Sequence, residues 1–230
     1  MNYFAHGRNF IDDPWLLAGT AVPDLLNVSD RGVRVRAVHA QPLIASTDPR
    51  TASLARGIAQ HHYDDGWFHQ NAAFAELSWG FAARLREVLE PDEGMRPSFL
   101  GHILVEILLD DTLIAANPDR LRDYYRAIAT VDAAHVQQVV NQAAPATSPK
   151  RAQRLAEFVP MFVNEGFLWD YSDDGKLCYR LNQVMRRVRL PPLGESLKTF
   201  LPEARRAVQE RQQDLLTPDN QTVTTPPAHP

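Results

Sequence analysis

The sequence predicts an all-α fold, a single-domain helical bundle of seven or so helices, and three observations carry that expectation. Helix-start punctuation recurs: Asp13-Pro14, Asp48-Pro49, Asn117-Pro118 and Ser148-Pro149 each set a capping side chain before a proline. The cap accepts an orphan backbone N–H, and a proline at the first helical position loses nothing by lacking its own. Between these marks the apolar residues follow helical spacing. In Phe74, Leu77, Trp79, Phe81, Leu85, Val88 and Leu89, steps of three and four dominate. Alternating text is nearly confined to Val33 through Val38, where a short strand or an extended loop serves equally.

In chain order, caps and periodicity place helices at about 14–28, 51–68, 70–90, 98–116, 118–130, 132–142, 149–171, 176–189 and 195–214. Pro23 and Pro160 fall inside helical text and are expected to kink or end those helices. Asn141 to Lys150 reads as a connector within one domain spanning 1–216. The polar, proline-rich stretch 217–230 reads as a disordered tail.

The chain has 230 residues, enough for one well-cored domain, with 44% hydrophobic and 23% charged residues. A net charge of −4 argues against a protein that wraps a polyanion, so no nucleic-acid partner is expected. Cys178 is the only cysteine, which rules out an intrachain disulfide and a thiolate zinc cluster. The start, MNYFAHGRNFIDD, has no basic region followed by an apolar one, so no secretory signal is expected. The longest apolar run, Ile103 to Leu109, is broken by Glu106 and is far too short for a membrane span. These features together predict a soluble cytoplasmic protein without a membrane partner.

The chemistry concentrates in RGIAQHHYDDGWFHQ. On a helix His61, Asp65 and His69 are four residues apart, so each step advances only ~40° around the axis and all three share a face. SFLGHILVEILLDD repeats the spacing with His102, Glu106 and Asp110. That second helix is otherwise strongly apolar, and a buried carboxylate or imidazole there needs a compensating metal or partner. Facing helices with imidazole and carboxylate one turn apart are how bundle cores hold metal ions. Mixed nitrogen and oxygen ligands suit Mn, Fe, Mg or Zn. The competing reading for His61 to Asp65 is a solvated helix flank, which the apolar setting of His102 and Glu106 disfavours. His39 and His135 read as incidental. His6, in an aromatic context, and Asp24, after LLAGTAVP, each read individually as a buried hydrogen-bonding residue or a cap.

These segments resemble one family. MNYFAH followed by LLAGTAVPDLL is similar to the opening of acyl-carrier-protein phosphodiesterases, which begin Met-Asn-aliphatic-aliphatic-Ala-His and continue with an apolar Gly-Asn segment ending in Asp. RGIAQHHYDDGWFH resembles that family's Gly-Ile-x-x-His-x-x-x-Asp-x-x-x-Asp helix, and SFLGHILVEILLDD its Asp-x-x-x-Asp helix. NQVMRRVRLPPLGESLKTFLPEARRAVQERQQDLL resembles its closing turn and helix, so the likeness runs from Met1 to about Leu216. The resemblance implies an HD-domain-like fold, Mn²⁺ as the metal (with Fe, Zn or Mg as alternatives), and removal of 4′-phosphopantetheine from acyl carrier protein. It points to His6, Asp24, His61 and Asp65 as site positions. The chain departs from the pattern at His69 and His102, where the family has Asp, at Glu106, which replaces another Asp, and at Thr20 and Pro191-Pro192. Each His substituted for a carboxylate is still a metal ligand, and more imidazole favours Fe, Mn or Zn over Mg.

The expected activity is metal-assisted hydrolysis of a phosphoester or phosphodiester, with the metal activating a water. His6, Asp24, His61, Asp65, His69, His102 and Glu106 are the expected ligands. His69 doubles as candidate general acid and Asp24 as the group that orients the nucleophile or bridges metals. Arg186, Arg187 and Arg189 form a basic group that suits a phosphate or an acidic partner. A solvated helix end complementing the dipole is the simpler reading of it. The alternatives are a ligand- or protein-binding module that kept the fold without the reaction, and a helical zinc hydrolase of the phospholipase C kind.

Overall fold

A computed structural model describes residues 1–89, 97–145 and 150–218, all helix and connecting loop without a strand among them. The Ser148-Pro149 cap, the expected helix end at Glu90 and the tail beyond Pro218 lie outside the described residues. The first four helices are α1 (Tyr3–Gly7), α2 (Pro14–Ser29), α3 (Ala37–Ala40) and α4 (Pro49–Phe68). Next come α5 (Ala72–Val88), α6 (Pro97–Ala116), α7 (Pro118–Ala129) and α8 (Ala133–Ala143). The last are α9 (Leu155–Glu165), α10 (Asp174–Val188), α11 (Ser196–Glu210) and α12 (Gln212–Leu215). Short 3₁₀ turns follow α3 and α9, at Gln41–Ala45 and Phe167–Ser172. No helix among the described residues is long and apolar enough to cross a membrane.

The expected caps form. Asp13 Oδ1 accepts from the Trp15 and Leu16 N–H groups, both at 3.1 Å, at the start of α2. Asp48 accepts from Arg50 N and Thr51 Oγ1 ahead of α4, and Asn117 accepts from Arg120 N at the start of α7. The backbone departs from expectation at Tyr3–Gly7 and over 149–171, and it narrows two open readings, at Val33–Arg36 and at the two prolines. Tyr3–Gly7 is helical although no cap announces it. Val33 and Val35 are buried and Arg34 and Arg36 exposed, so the alternation is real, but the segment pairs with no strand; instead the Val35 carbonyl accepts from His62 Nε2 at 2.7 Å. The long helix expected at 149–171 is α9 and a 3₁₀ turn, separated by Gly166 in the left-handed region (φ 56°), where a residue without Cβ ends a helix at no steric cost. Pro23 and Pro160 do not end their helices: α2 and α9 run through them.

The chain's contacts gather into two compact units. The first holds Met1–Gly66 with Asn117–Gly166, hence α1 to α3, most of α4, and α7 to α9. Its core is Phe4, Leu17, Leu25, Leu54, Ile58, Tyr124 and Phe162, each under 3% exposed. Burial of such side chains supplies about 1.5–3 kcal/mol each before entropy is charged. Here α2 and α4 meet backbone to backbone. A Cβ on Gly57 would lie 2.1 Å from the Leu16 carbonyl oxygen and 2.8 Å from Gly19 Cα, and one on Gly19 2.2 Å from the Leu54 carbonyl. Only two facing glycines permit this crossing.

The second unit holds Trp67–Ala116 and the described residues from Phe167 on. In it α5 and α6 pack along their length, with α11 against both. They also approach through a glycine: a Cβ on Gly101 would stand 2.6 Å from the Ser78 carbonyl oxygen. Leu85, Leu100, Leu104, Leu108, Leu181 and Leu197 are fully buried there. Arg205 of α11 donates to Asp111 on α6, to Asp174 Oδ1 on α10 at 2.8 Å and to the Tyr171 carbonyl at 2.6 Å, which cross-links the helices around this core.

Gly57→Ala is expected to destabilise the protein by about 1–3 kcal/mol or more, because the new methyl overpacks against backbone that cannot yield. Gly80→Ala, on the exposed face of α5 with nothing near its Cβ position, is expected to stabilise by about 0.5–1 kcal/mol through lost chain entropy. Urea unfolding of both variants checks the sign of each.

Candidate metal centres

The tight crossing of α2 and α4 sets the first site. His61 lies one turn beyond Gly57, and its Nδ1 sits 2.9 Å from the carbonyl oxygen of Thr20, the residue after Gly19. A carbonyl only accepts, so Nδ1 carries the proton and donates. In the neutral ring the lone pair is then on Nε2, which faces Asp65 Oδ2 at 3.3 Å. The neighbouring His62 points elsewhere, to Val35, and burial pushes it below the ordinary imidazole range although that hydrogen bond opposes the shift.

His6 reaches the same carboxylate from α1. Gly7 lets this helix seat closely, since a Cβ there would meet Leu17 Cδ1 at 2.5 Å and Tyr124 at 2.6 Å. His6 is 1% exposed and its ring stacks on that of His61, centroids 4.1 Å apart. Its Nδ1 faces Asp64 Oδ2 at 3.3 Å, and Gln60 Nε2 holds the other oxygen of Asp64 at 2.8 Å. Its Nε2 is 3.2 Å from Asp65 Oδ1, yet this buried nitrogen has no aligned hydrogen bond. The N-terminal ammonium of Met1 also donates to Asp65 Oδ1, at 2.8 Å.

Both imidazoles are thus held through Nδ1, and both turn Nε2 towards one carboxylate. Two lone pairs against an anion repel, so the gap calls for a positive charge, a proton or a metal ion. Burial resists a charge on His6, but the Asp64 and Asp65 carboxylates outweigh it and hold the ring above the usual imidazole value. Burial likewise resists a charge on Asp65, but His6, His61 and the terminal ammonium hold it far below the usual carboxylate range. A tetrahedral ion with bonds of about 2.0–2.2 Å has ligand atoms about 3.3–3.6 Å apart. His6 Nε2 and His61 Nε2 approach different oxygens of Asp65, at 3.2 and 3.3 Å, and one ligand atom from each of the three residues lies within 4.8 Å of the others.

His69, expected on the same face as His61 and Asp65, lies in the turn just past α4 and belongs to the second unit. There its Nε2 is 2.8 Å from Glu106 Oε1, and His102 Nε2 is 3.3 Å from the same oxygen. Six of the expected ligands fall into two triads, His6–His61–Asp65 and His69–His102–Glu106, each with three ligand atoms within 4.8 Å of one another. The four-residue repeat carries His69 one residue past the end of α4 at Phe68. Burial disfavours the Glu106 carboxylate, but the positive charges and donors around it, His102 and His69 among them, hold it well below the usual range.

Asp24 is half-buried on α2 and belongs to neither triad; it lies four residues after Thr20, on the same helix face. Arg186 and Arg189 are exposed and Arg187 half-buried at the end of α10, where Arg189 adopts the left-handed conformation (φ 61°). His39 and His135 cap turns: His39 Nδ1 accepts from Arg36 N, and His135 Nε2 sits 3.1 Å from Thr51 Oγ1. Sequence reasoning missed Asp64, Gln60 and the Thr20 carbonyl. The Asp64-Asp65 pair was visible as text, but a main-chain acceptor leaves no mark in a sequence. Compared with known proteins, the chain matches no family model, no curated protein and no solved structure.

In metal-free protein the His6 imidazole is expected to titrate above 6.5, so its charged form stabilises the fold fully below 6.5 and that contribution is lost as pH rises through the raised value. Asp64→Asn should move the His6 midpoint down, read from its ring proton resonances. An unchanged midpoint would show that Asp64 does not support the charged ring.

Proposed function

We propose that this chain is a metal-dependent phosphohydrolase whose reaction centre is the triad His6, His61 and Asp65. The observation that carries the reading is the pair of imidazoles, each held through Nδ1, that aim Nε2 at one carboxylate in a buried setting. Three protein ligands leave coordination positions open, which is the mark of a reactive rather than a structural site. When bound, a divalent ion there lowers the pKa of a water and polarises a phosphoryl oxygen.

The chain's own groups then divide the work. His6 Nε2, His61 Nε2 and the Asp65 carboxylate hold the ion. The Thr20 carbonyl fixes the tautomer of His61, and the Gln60–Asp64 pair orients His6; such supporting bonds set both geometry and ligand basicity. Asp24, on the Thr20 face of α2, is the group proposed to orient the attacking water. Imidazole ligands with one carboxylate suit Mn, Fe or Zn. The likeness of MNYFAH and RGIAQHHYDDGWFH to acyl-carrier-protein phosphodiesterases makes the phosphopantetheine ester of acyl carrier protein the first natural substrate to try.

Metal analysis of protein purified without chelator is expected to find a transition metal, and bis-p-nitrophenyl phosphate to be hydrolysed with Mn²⁺ added. His61→Ala and Asp65→Ala should abolish turnover while keeping the helical circular dichroism. Asp64→Asn should reduce it roughly 10- to 100-fold, the usual effect of losing a group that supports a ligand. Turnover retained in His61→Ala and Asp65→Ala overturns the site, and a chain that binds no transition metal overturns the enzyme. Release of phosphopantetheine from holo acyl carrier protein then separates the family activity from that of a relative.

A further inference from the structure

We propose that His69, His102 and Glu106 form a second, separate divalent-metal site within the second unit, of the type that takes Zn²⁺ or Co²⁺. It goes beyond the reaction centre above, in which none of these three residues takes part.

Both imidazoles bring the same atom, Nε2, to one carboxylate oxygen, at 2.8 and 3.3 Å from Glu106 Oε1. The His102 spacing falls within the separations of about 3.0–3.6 Å between neighbouring ligands of octahedral or tetrahedral ions with bonds near 2.1 Å, and the His69 spacing lies just below them, at hydrogen-bond length. A hydrogen-bonded pair explains His69 alone. It gives no reason for His102, one turn before Glu106, to converge on the same oxygen with its ring 4.9 Å from that of His69. Two charged rings that close would repel, and an ion between neutral rings removes the conflict.

The rings are placed by aromatic edges. Phe74 meets His102 at 4.8 Å, almost perpendicular, and His69 at 5.1 Å, while Phe68 meets His69 at 5.6 Å. Phe74 is buried at 4% and is pinned from its own cap, Asn71, so it forms a rigid wall. The Gly101 approach to Ser78 brings the first turns of α6 hard against α5, which sets His102 beside Phe74. Glu106 is 17% exposed, whereas the His69 and His102 side chains are 33% and 43% exposed. Neither histidine has a protein hydrogen bond at Nδ1 among the described residues, unlike His6 and His61. The second site is therefore open to water on one side and holds its ion less firmly than the first. The ligand set of two imidazoles and one carboxylate disfavours Mg²⁺ and Ca²⁺, which prefer all-oxygen shells.

The test is titration of metal-free full-length protein with Co²⁺ alone, followed by calorimetry and visible absorption. Wild type is expected to bind two equivalents, and EDTA to strip one before the other. His102→Ala and Glu106→Gln should each leave one equivalent, as should Asp65→Ala, and Asp65→Ala with Glu106→Gln should leave none. Glu106→Gln keeps the shape of the side chain, so its loss of an equivalent with an unchanged thermal unfolding midpoint reports a ligand and not a folding defect. Two equivalents retained in both His102→Ala and Glu106→Gln overturn the second site. A single wild-type equivalent that disappears in Asp65→Ala overturns it too. A single equivalent that survives Asp65→Ala and is lost in Glu106→Gln upholds the second site and removes the proposed reaction centre instead.

Discussion

Helix α2 meets α4 without side chains between them, and the local chemistry of the first unit follows from that contact. Gly19 and Gly57 face each other across a gap that admits no methyl group. Ordinary helix pairs are held apart by side chains at 8–10 Å between axes. Here the close approach lets a side chain on α4 reach the main chain of α2 within one turn of the crossing. His61 takes the Thr20 carbonyl, and its free nitrogen is committed to the opposite direction. Pro23 contributes to the same place: lacking an N–H, it leaves the Gly19 carbonyl without its intrahelical donor.

The second unit repeats the device in simpler form. Gly101 brings α6 onto the backbone of α5 at Ser78, and the next residue is His102. The supporting shell differs in kind. In the first unit polar groups grip the imidazoles, namely a carbonyl and the Asp64 carboxylate. In the second the rings lean on phenylalanines, which set position but not protonation. One crossing geometry thus supports a buried, tautomer-fixed triad and a solvent-facing one.

Much of this was legible in the sequence because capping is local. Asp13, Asp48 and Asn117 start their helices where a cap followed by proline says they must. The pairing of His61 with Asp65, and of His102 with Glu106, also follows from spacing alone. Caps and periodicity ended this helix near 68, as observed, but spacing could not supply the partner of His69 just beyond it. A repeat of four continues on paper through His69, but the helix ends at Phe68, and the next histidine turns to a different partner. Nor could it reveal that His6 joins the first triad, since that depends on a one-turn helix fixed by tertiary contacts with Leu17 and Tyr124 around Gly7. The extended Val33–Arg36 segment had the right alternation for a strand and the wrong neighbours. Its backbone is used by a side chain, and among the described residues no second segment pairs with it.

The ring of His6 is clasped at its two nitrogens by carboxylates that are consecutive in the chain. On a helix, Asp64 and Asp65 project about 100° apart, so together they straddle the imidazole as a fork straddles a bar. Rotating the ring about its bond to the backbone would surrender both contacts at once, and the stacked face of His61 blocks the sideways exit. The rotamer freedom that a mobile histidine would give up on capturing an ion was surrendered when the chain folded. An ion bound at such a centre would call for little reorganisation, and affinity gained in that way would come from rigidity rather than from additional bonds.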